Sequence, residues 1–260
     1  MPIITIDIET LPDMRLGARD AYIAAAKQDV KVPAGATKES LAADLGITDK
    51  EVIKFTPRAS LDARWIEEIG PSQAEPIGDA AWRKTSFDGS KGSLLMIGMA
   101  VDDEPPVVVL EGTETETLRA FYRNVAQAYD PRKDQRPVFV GHNILGFDLR
   151  FILHRSIILG VQPPALVPFD ARPWDHSVYD TMTRWAGVGN RIKLDALATA
   201  LGIQGKGDID GSMVYDLYAA GETLKLVEYC ADDVRMTREV YRRMTFMRIP
   251  EPVEEEALPF

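Results

Sequence analysis

The stretch IITIDIETL, residues 3–11, decides how the rest of the chain is read. It is a β-strand by its β-branched, apolar content, yet it carries two carboxylates, Asp7 and Glu9, two residues apart. Strand side chains alternate between faces, so Asp7 and Glu9 share one side while Ile6, Ile8 and Thr10 share the other. Taken alone, the pair reads equally well as the polar face of a half-exposed strand.

Composition narrows the classes. The chain has 260 residues, 45% of them hydrophobic and 27% charged, which suits one large folded domain or a domain with a substantial insertion. A formal net charge of −10 argues against a protein that coats nucleic acid by charge alone, which needs many Lys and Arg contacts to phosphate. It leaves open an enzyme that grips a few nucleotides at one acidic site, where a bound divalent metal supplies local positive charge. Cys230 is the single cysteine, so an internal disulfide and a multi-cysteine zinc site are excluded. The N-terminal residues lack a basic region followed by an apolar stretch, and no apolar run is long enough to span a bilayer. The expectation is a soluble, cytoplasmic protein.

Beyond the first strand, Pro/Gly breakers such as VPAGA and IGPSQAEPIGD separate short helical stretches, among them TKESLAADLG and TDKEVIKF. Thr48 followed by Glu51 predicts a capping box at the second of these. From SLLMIGMAV onward strands and helices alternate, which predicts an α/β domain whose first strand is set apart by an insertion over about residues 12–92. SLLMIGMAVDDEPPVVVLEG reads as two strands joined by an acidic turn. Leu118, Phe121, Tyr122 and Val125 have helical spacing. RPVFVGHN reads as a buried strand, ILGFDLRFILHRSIILG as a helix closing at Gly160, and the segment from Gly221 to Met244 as a long final helix.

Two further pieces carry acids. In GHNILGFDLR a strand gives way to a helix, and Asn143 and Asp148 read by themselves as a cap and a first-turn acid favoured by the helix dipole. In EYCADDVRMT, Tyr229 and Asp233 lie four apart and project from one face of a helix, while Asp232 points about 100° away. By itself this is a surface helix with solvated acids.

The three pieces together, in this order and at these element boundaries, resemble the DEDD superfamily of 3′–5′ exonucleases (DnaQ-like, with a ribonuclease H-like fold). Its pattern is D-x-E on the first strand, N-x(2-3)-[FY]-D before a later helix and Y-x(3)-D on the last helix. Here it is met by Asp7 and Glu9, by Asn143, Phe147 and Asp148, and by Tyr229 and Asp233. The histidine subclass needs His five residues before the last Asp; position 228 is Glu228, so the tyrosine subclass (DEDDy) is favoured. KLDALATALGIQGKGDIDGSMV followed by YCADDVRMT is similar to stand-alone predicted exonucleases related to the proofreading domain of family-B DNA polymerases.

The resemblance implies a mixed sheet flanked by helices, with a largely helical insertion after the first strand. It implies a single exonuclease domain over residues 1–246 and an acidic tail over 247–260. The implied enzyme is a phosphodiester hydrolase that shortens single-stranded DNA from the 3′ end to 5′-nucleoside monophosphates. Two Mg²⁺ or Mn²⁺ ions per site suit an all-oxygen ligand set. On the resemblance, Asp7 bridges the metals, Glu9 and Asp233 complete one site, Asp148 supports the other, and Tyr229 orients the attacking water. Thr10, Leu11, Asn143, Phe147 and Lys206 would meet the substrate, Leu11 and Phe147 by packing against the terminal nucleotide. Arg83, Lys84 and Lys91 are candidate phosphate contacts, and the insertion a candidate lid or channel wall. RNA is the alternative substrate, since no residue visibly reads a 2′-hydroxyl. A non-catalytic nucleic-acid or replication-protein binding module is the other class, although it would be expected to have lost one of the four acids. The tail, ending Pro259-Phe260, resembles the acidic tip of bacterial single-stranded-DNA-binding proteins and suggests a replication or repair partner; no membrane is expected.

Overall fold

The protein is described by a computed structural model over residues 1–203, 205 and 209–247. Lys206 and the tail from 248 to 260 lie outside the described residues, and with them the phosphate contact and the partner docking expected there. The strands are β1 (Ile3–Leu11), β2 (Ser93–Val101), β3 (Val107–Val109), β4 (Val138–Gly141) and β5 (Val178–Asp180). The helices of the stretch after β1 are α1 (Ala18–Gln28), α2 (Lys38–Asp44), α3 (Lys50–Phe55), α4 (Arg58–Glu68) and α5 (Gly70–Arg83). Those interleaved with the later strands are α6 (Glu114–Gln127), α7 (Asp148–Leu159), α8 (Thr181–Ala186), α9 (Leu194–Ala200), α10 (Val214–Ala219) and α11 (Thr223–Met244).

The chain forms two compact units: Met1–Thr10 together with the residues from Ser93 onward, and Leu11–Gly92. The first contains a five-stranded mixed sheet in the order β3-β2-β1-β4-β5. β1 runs parallel to β4, with Ile3 opposite Val138 and Thr5 opposite Val140, and β4 runs parallel to β5. β2 and β3 form the expected antiparallel hairpin, Ile97 opposite Val109. The Asp102 N–H donates to the Ile3 carbonyl at 2.8 Å, so the end of β2 lies beside the start of β1.

Alternation along β1 sorts its side chains onto two layers. Ile4, Ile6 and Ile8 are buried with Leu118 and Phe121 of α6, Phe139 of β4, and Leu149 and Ile152 of α7. On the opposite face Ile3 packs with Val138, Val140 and Tyr241 of α11. α11 is amphipathic, burying Leu226, Cys230, Val234, Thr237 and Tyr241 at helical spacing. Gly98 on β2 allows its close approach: a Cβ there would stand 2.8 Å from Cys230 Sγ and 2.7 Å from Val234 Cγ2.

In the second unit α1 packs on α5, and Leu41, Leu61 and Trp65 make a small core. The Trp82 indole donates to the Asp13 carbonyl at 2.8 Å.

Two local readings are corrected. The N-cap of α3 is Asp49, whose carboxylate accepts from Glu51 and Val52; the capping box of this region is at α2, between Thr37 and Ser40. An aspartate oxygen reaches N2 and N3 donors as well as a threonine does, and it lies one residue nearer the helix. α7 begins at Asp148 rather than near Ile144, because residues 142–147 make a turn with Asn143 in the left-handed region at φ 62°. The short strand β5, which HSVYDTMTRW does not announce, adds the parallel edge. Three residues are too few for a period-2 pattern to register.

Candidate active site

The carboxylates meet where three elements converge. Asp7 and Glu9 extend from β1 on the face that α11 covers; Glu9 is 7% exposed. Asp148 opens α7 at 3% exposure, and Asp233 of α11 is 5% exposed. Tyr229, one helical turn before Asp233, is 7% exposed and its hydroxyl is hydrogen-bonded to Asp233. The Ile8 backbone N–H bonds to the Asp148 carboxylate, which ties the start of α7 to β1.

The turn preceding α7 is built to deliver Asp148. The Asn143 carbonyl accepts from Gly146 N at 3.0 Å and Phe147 N at 2.9 Å. Gly146 leaves room for the Asn143 side chain, since a Cβ there would stand 2.4 Å from Asn143 Oδ1 and make that side chain shift. Asp180, which sequence reasoning missed, sits beneath the turn at 2% exposure. It accepts from the backbone N–H groups of Asn143 and Leu145, both at 3.2 Å, and caps α8 by accepting from Thr183 N at 3.0 Å. The signal available was Asp180 directly before Thr181-Met-Thr183, an ordinary N-cap pattern. His142 is structural, as its two ring nitrogens are bonded to Thr181 Oγ1 and the Ile192 carbonyl, each at 2.9 Å.

Electrostatics mark the cluster as a place where negative charge accumulates out of water. Burial, with Asp180 and Asp233 nearby, pushes the Asp148 carboxyl up to about 7, against its own backbone and Ile8 N–H bonds, which hold it down. Burial pushes the Tyr229 hydroxyl well above the ordinary tyrosine range, and Asp233, Glu9 and Asp7 push it further. The Cys230 thiol is raised by burial first and then by Asp7, Glu9 and Asp233. Carboxylate oxygens of Asp7 and Glu9 and the sulfur of Cys230 lie within 4.8 Å of one another. The donor set fits a hard divalent cation: the carboxylates supply oxygen ligands, and a cation among them would relieve the repulsion just described.

The remaining expected residues fall in several places. Thr10 is half-buried at the end of the same strand, and Leu11 is 4% exposed. Phe147 is half-buried with its ring 5.6 Å from that of Phe151, and Asn143 is half-buried in its turn. Arg83 is ion-paired with Asp79 and Lys91 with Asp88, while Lys84 opens the short 3₁₀ turn after α5; all three belong to the second unit.

Residues 106–256 match the family described as predicted 3′–5′ exonucleases related to the exonuclease domain of PolB, and the chain belongs to that family. The matched stretch contains Asn143, Phe147, Asp148, Tyr229 and Asp233; Asp7 and Glu9 precede it. Among solved structures the chain is similar to the family B DNA polymerase of the hyperthermophilic archaeon Pyrobaculum calidifontis, with a TM-score of 0.52 and 16% identity. That match covers 95% of this chain and 24% of the polymerase, so the chain spans about a quarter of its length. No curated protein matches the sequence. The fold is ribonuclease H-like, a mixed sheet flanked by helices, in a chain that belongs to a family of predicted 3′–5′ exonucleases.

Proposed function

We propose that the protein is a metal-dependent exonuclease of the tyrosine subclass that removes 5′-nucleotides from the 3′ end of single-stranded DNA. The observation that carries the reading is the convergence of Asp7, Glu9, Asp148 and Asp233, from β1, α7 and α11, on one buried place beside Tyr229. Two divalent ions held there would polarise the scissile phosphate, lower the pKa of the attacking water and stabilise the departing 3′ oxygen. Asp7 would be shared between the ions, with Glu9 and Asp233 on one and Asp148 on the other. Tyr229 keeps its proton at neutral pH, since burial and its acidic neighbours oppose ionisation, so its hydroxyl orients water rather than deprotonating it. Thr10, Leu11, Asn143 and Phe147 flank the terminal nucleotide, and Leu11–Gly92 is an insertion into the catalytic domain.

The test is to incubate 5′-labelled single-stranded DNA and RNA oligonucleotides of matched sequence with wild type and Asp7→Ala, in Mg²⁺, Mn²⁺ or EDTA. A metal-dependent ladder that shortens from the 3′ end, seen with DNA and absent in the variant, is the expected result. A ladder with RNA alone would move the substrate to RNA. No ladder in any condition would remove the catalytic reading and leave a binding module.

A further inference from the structure

Two hydroxyls below the carboxylates are out of keeping with their surroundings. Thr5 of β1 and Thr237 of α11 are each 0% exposed, and neither Oγ1 has a hydrogen-bond partner among the described residues. A buried hydroxyl left unpaired loses its bonds to water with nothing in return, a cost valine would avoid in nearly the same shape.

Register places the two at one level. Cys230 Sγ lies within 4.8 Å of ligand atoms of Asp7 and Glu9, and Ile3 packs in one cluster with Tyr241. The strand therefore runs from the Asp7–Glu9 level back to Ile3 as the helix runs from Cys230 on to Tyr241. Five strand residues from Ile8 to Ile3 rise about 17 Å and eleven helical residues from Cys230 to Tyr241 about 17 Å, so the two spans match. Thr5 is two strand residues, about 6.6 Å, from Ile3 and Thr237 four helical residues, about 6 Å, from Tyr241. Thr5 is on the face of β1 that carries Asp7, and Thr237 is one turn from Asp233 on the sheet-facing stripe.

We propose that Thr5 and Thr237 hold one ordered water between β1 and α11 and that this water supports the carboxylates of Asp7 and Asp233. Residues two apart on a strand face are about 6.6 Å apart, too far for a hydroxyl to bond its neighbour directly and suited to one bridging water. The bonding closes. The two hydroxyls donate to the water's lone pairs, and its two protons go to one oxygen of Asp7 and one of Asp233, leaving their other oxygens for metal. The threonines are positioning residues, acting through the carboxylates on the cation. The inference rests on the metal reading of those carboxylates given above.

The experiment measures Mn²⁺ affinity by electron paramagnetic resonance of the free ion, with thermal unfolding alongside, in wild type, Thr5→Val, Thr237→Val, the double valine variant, Thr5→Ser, Thr237→Ser and Asp7→Ala. Each valine variant should weaken Mn²⁺ binding about tenfold with the fold retained, as loss of an outer-shell partner does. The double variant should lose no more than either single one, because one water is lost in each case, and the serine variants should bind as wild type does. If Thr5→Val disturbs the central strand, Thr237→Val reads the same water from the helix side. Valine variants that are more stable than wild type and bind Mn²⁺ equally well would overturn the inference while leaving the metal site standing. A wild type that binds Mn²⁺ no better than Asp7→Ala would bring down the metal reading itself, and this inference with it.

Discussion

The acids of the Leu11–Gly92 unit and those of the buried cluster in the sheet unit are handled in opposite ways. In the Leu11–Gly92 unit the acids are matched to guanidinium groups at the surface: Asp79 takes Arg19 and Arg83, Asp62 takes Arg58, and Glu68 takes Arg64. Burial alone would raise Asp79, yet its bonds from Arg83 and Arg19 outweigh that and hold it below the usual carboxylate range. In the sheet unit Asp148 is buried against Asp180 and Asp233, and its proton affinity rises. The first arrangement is complete with the residues the chain supplies. The second gathers negative charge in a place that favours a cation, which is how a protein stores metal affinity at a cost in apo stability.

Removing a carboxylate should have the largest effect and is the sharpest test of that contrast. Asp7→Ala is expected to lower exonuclease activity by about 10³-fold or more, because the ions it would hold contribute several kcal/mol to the transition state. Circular dichroism should show the fold retained; an active Asp7→Ala would end the proposal. Next in size is Tyr229→Phe, which should reduce turnover by about 10²-fold while Mn²⁺ affinity stays within a factor of two, since only an orienting hydroxyl is removed. Loss of metal binding in that variant would make Tyr229 a ligand-positioning group instead.

Gly98→Ala asks whether close packing of α11 sets the site. The new Cβ would stand under 3 Å from Cys230 Sγ and Val234 Cγ2, so overpacking should cost about 1–3 kcal/mol by thermal unfolding and lower activity with it. Asp180→Ala removes the acceptor for Asn143, Leu145 and Thr183, at a cost of about 1–3 kcal/mol; a neutral result would mean that the turn before α7 is held by its own carbonyl bonds. The smallest effect is expected in the other unit. Arg19→Ala breaks a partly exposed ion pair and should shift stability by no more than about 1 kcal/mol, with wild-type activity. A large loss of activity there would show that the two ways of handling charge are not independent.

Much of this was legible in the residues because the informative patterns are local. Alternation in residues 3–11 separated Asp7 and Glu9 from Ile4, Ile6 and Ile8, and the four-residue spacing of Tyr229 and Asp233 put them on one helical face. The beginning of α7 was not legible, because Asn143 adopts a left-handed conformation that an apolar run does not reveal and the turn is fixed by Asp180, 37 residues away. Neither Gly98 nor Cys230 carries a sequence signal for what it does. A glycine in a strand and a lone buried cysteine have many uses, and only their contact shows how near α11 comes to the sheet.

By itself the sequence determined which residues could do the chemistry and on which face of its own element each would stand, since strand and helix periods are properties of the backbone. The tertiary structure alone decided that those faces meet, that the carboxylates meet in a buried place where their charges oppose one another, and that the hydroxyls of Thr5 and Thr237 are shut away from solvent. Distances between elements depend on packing summed over the whole core, and no local stretch of chain contains that sum.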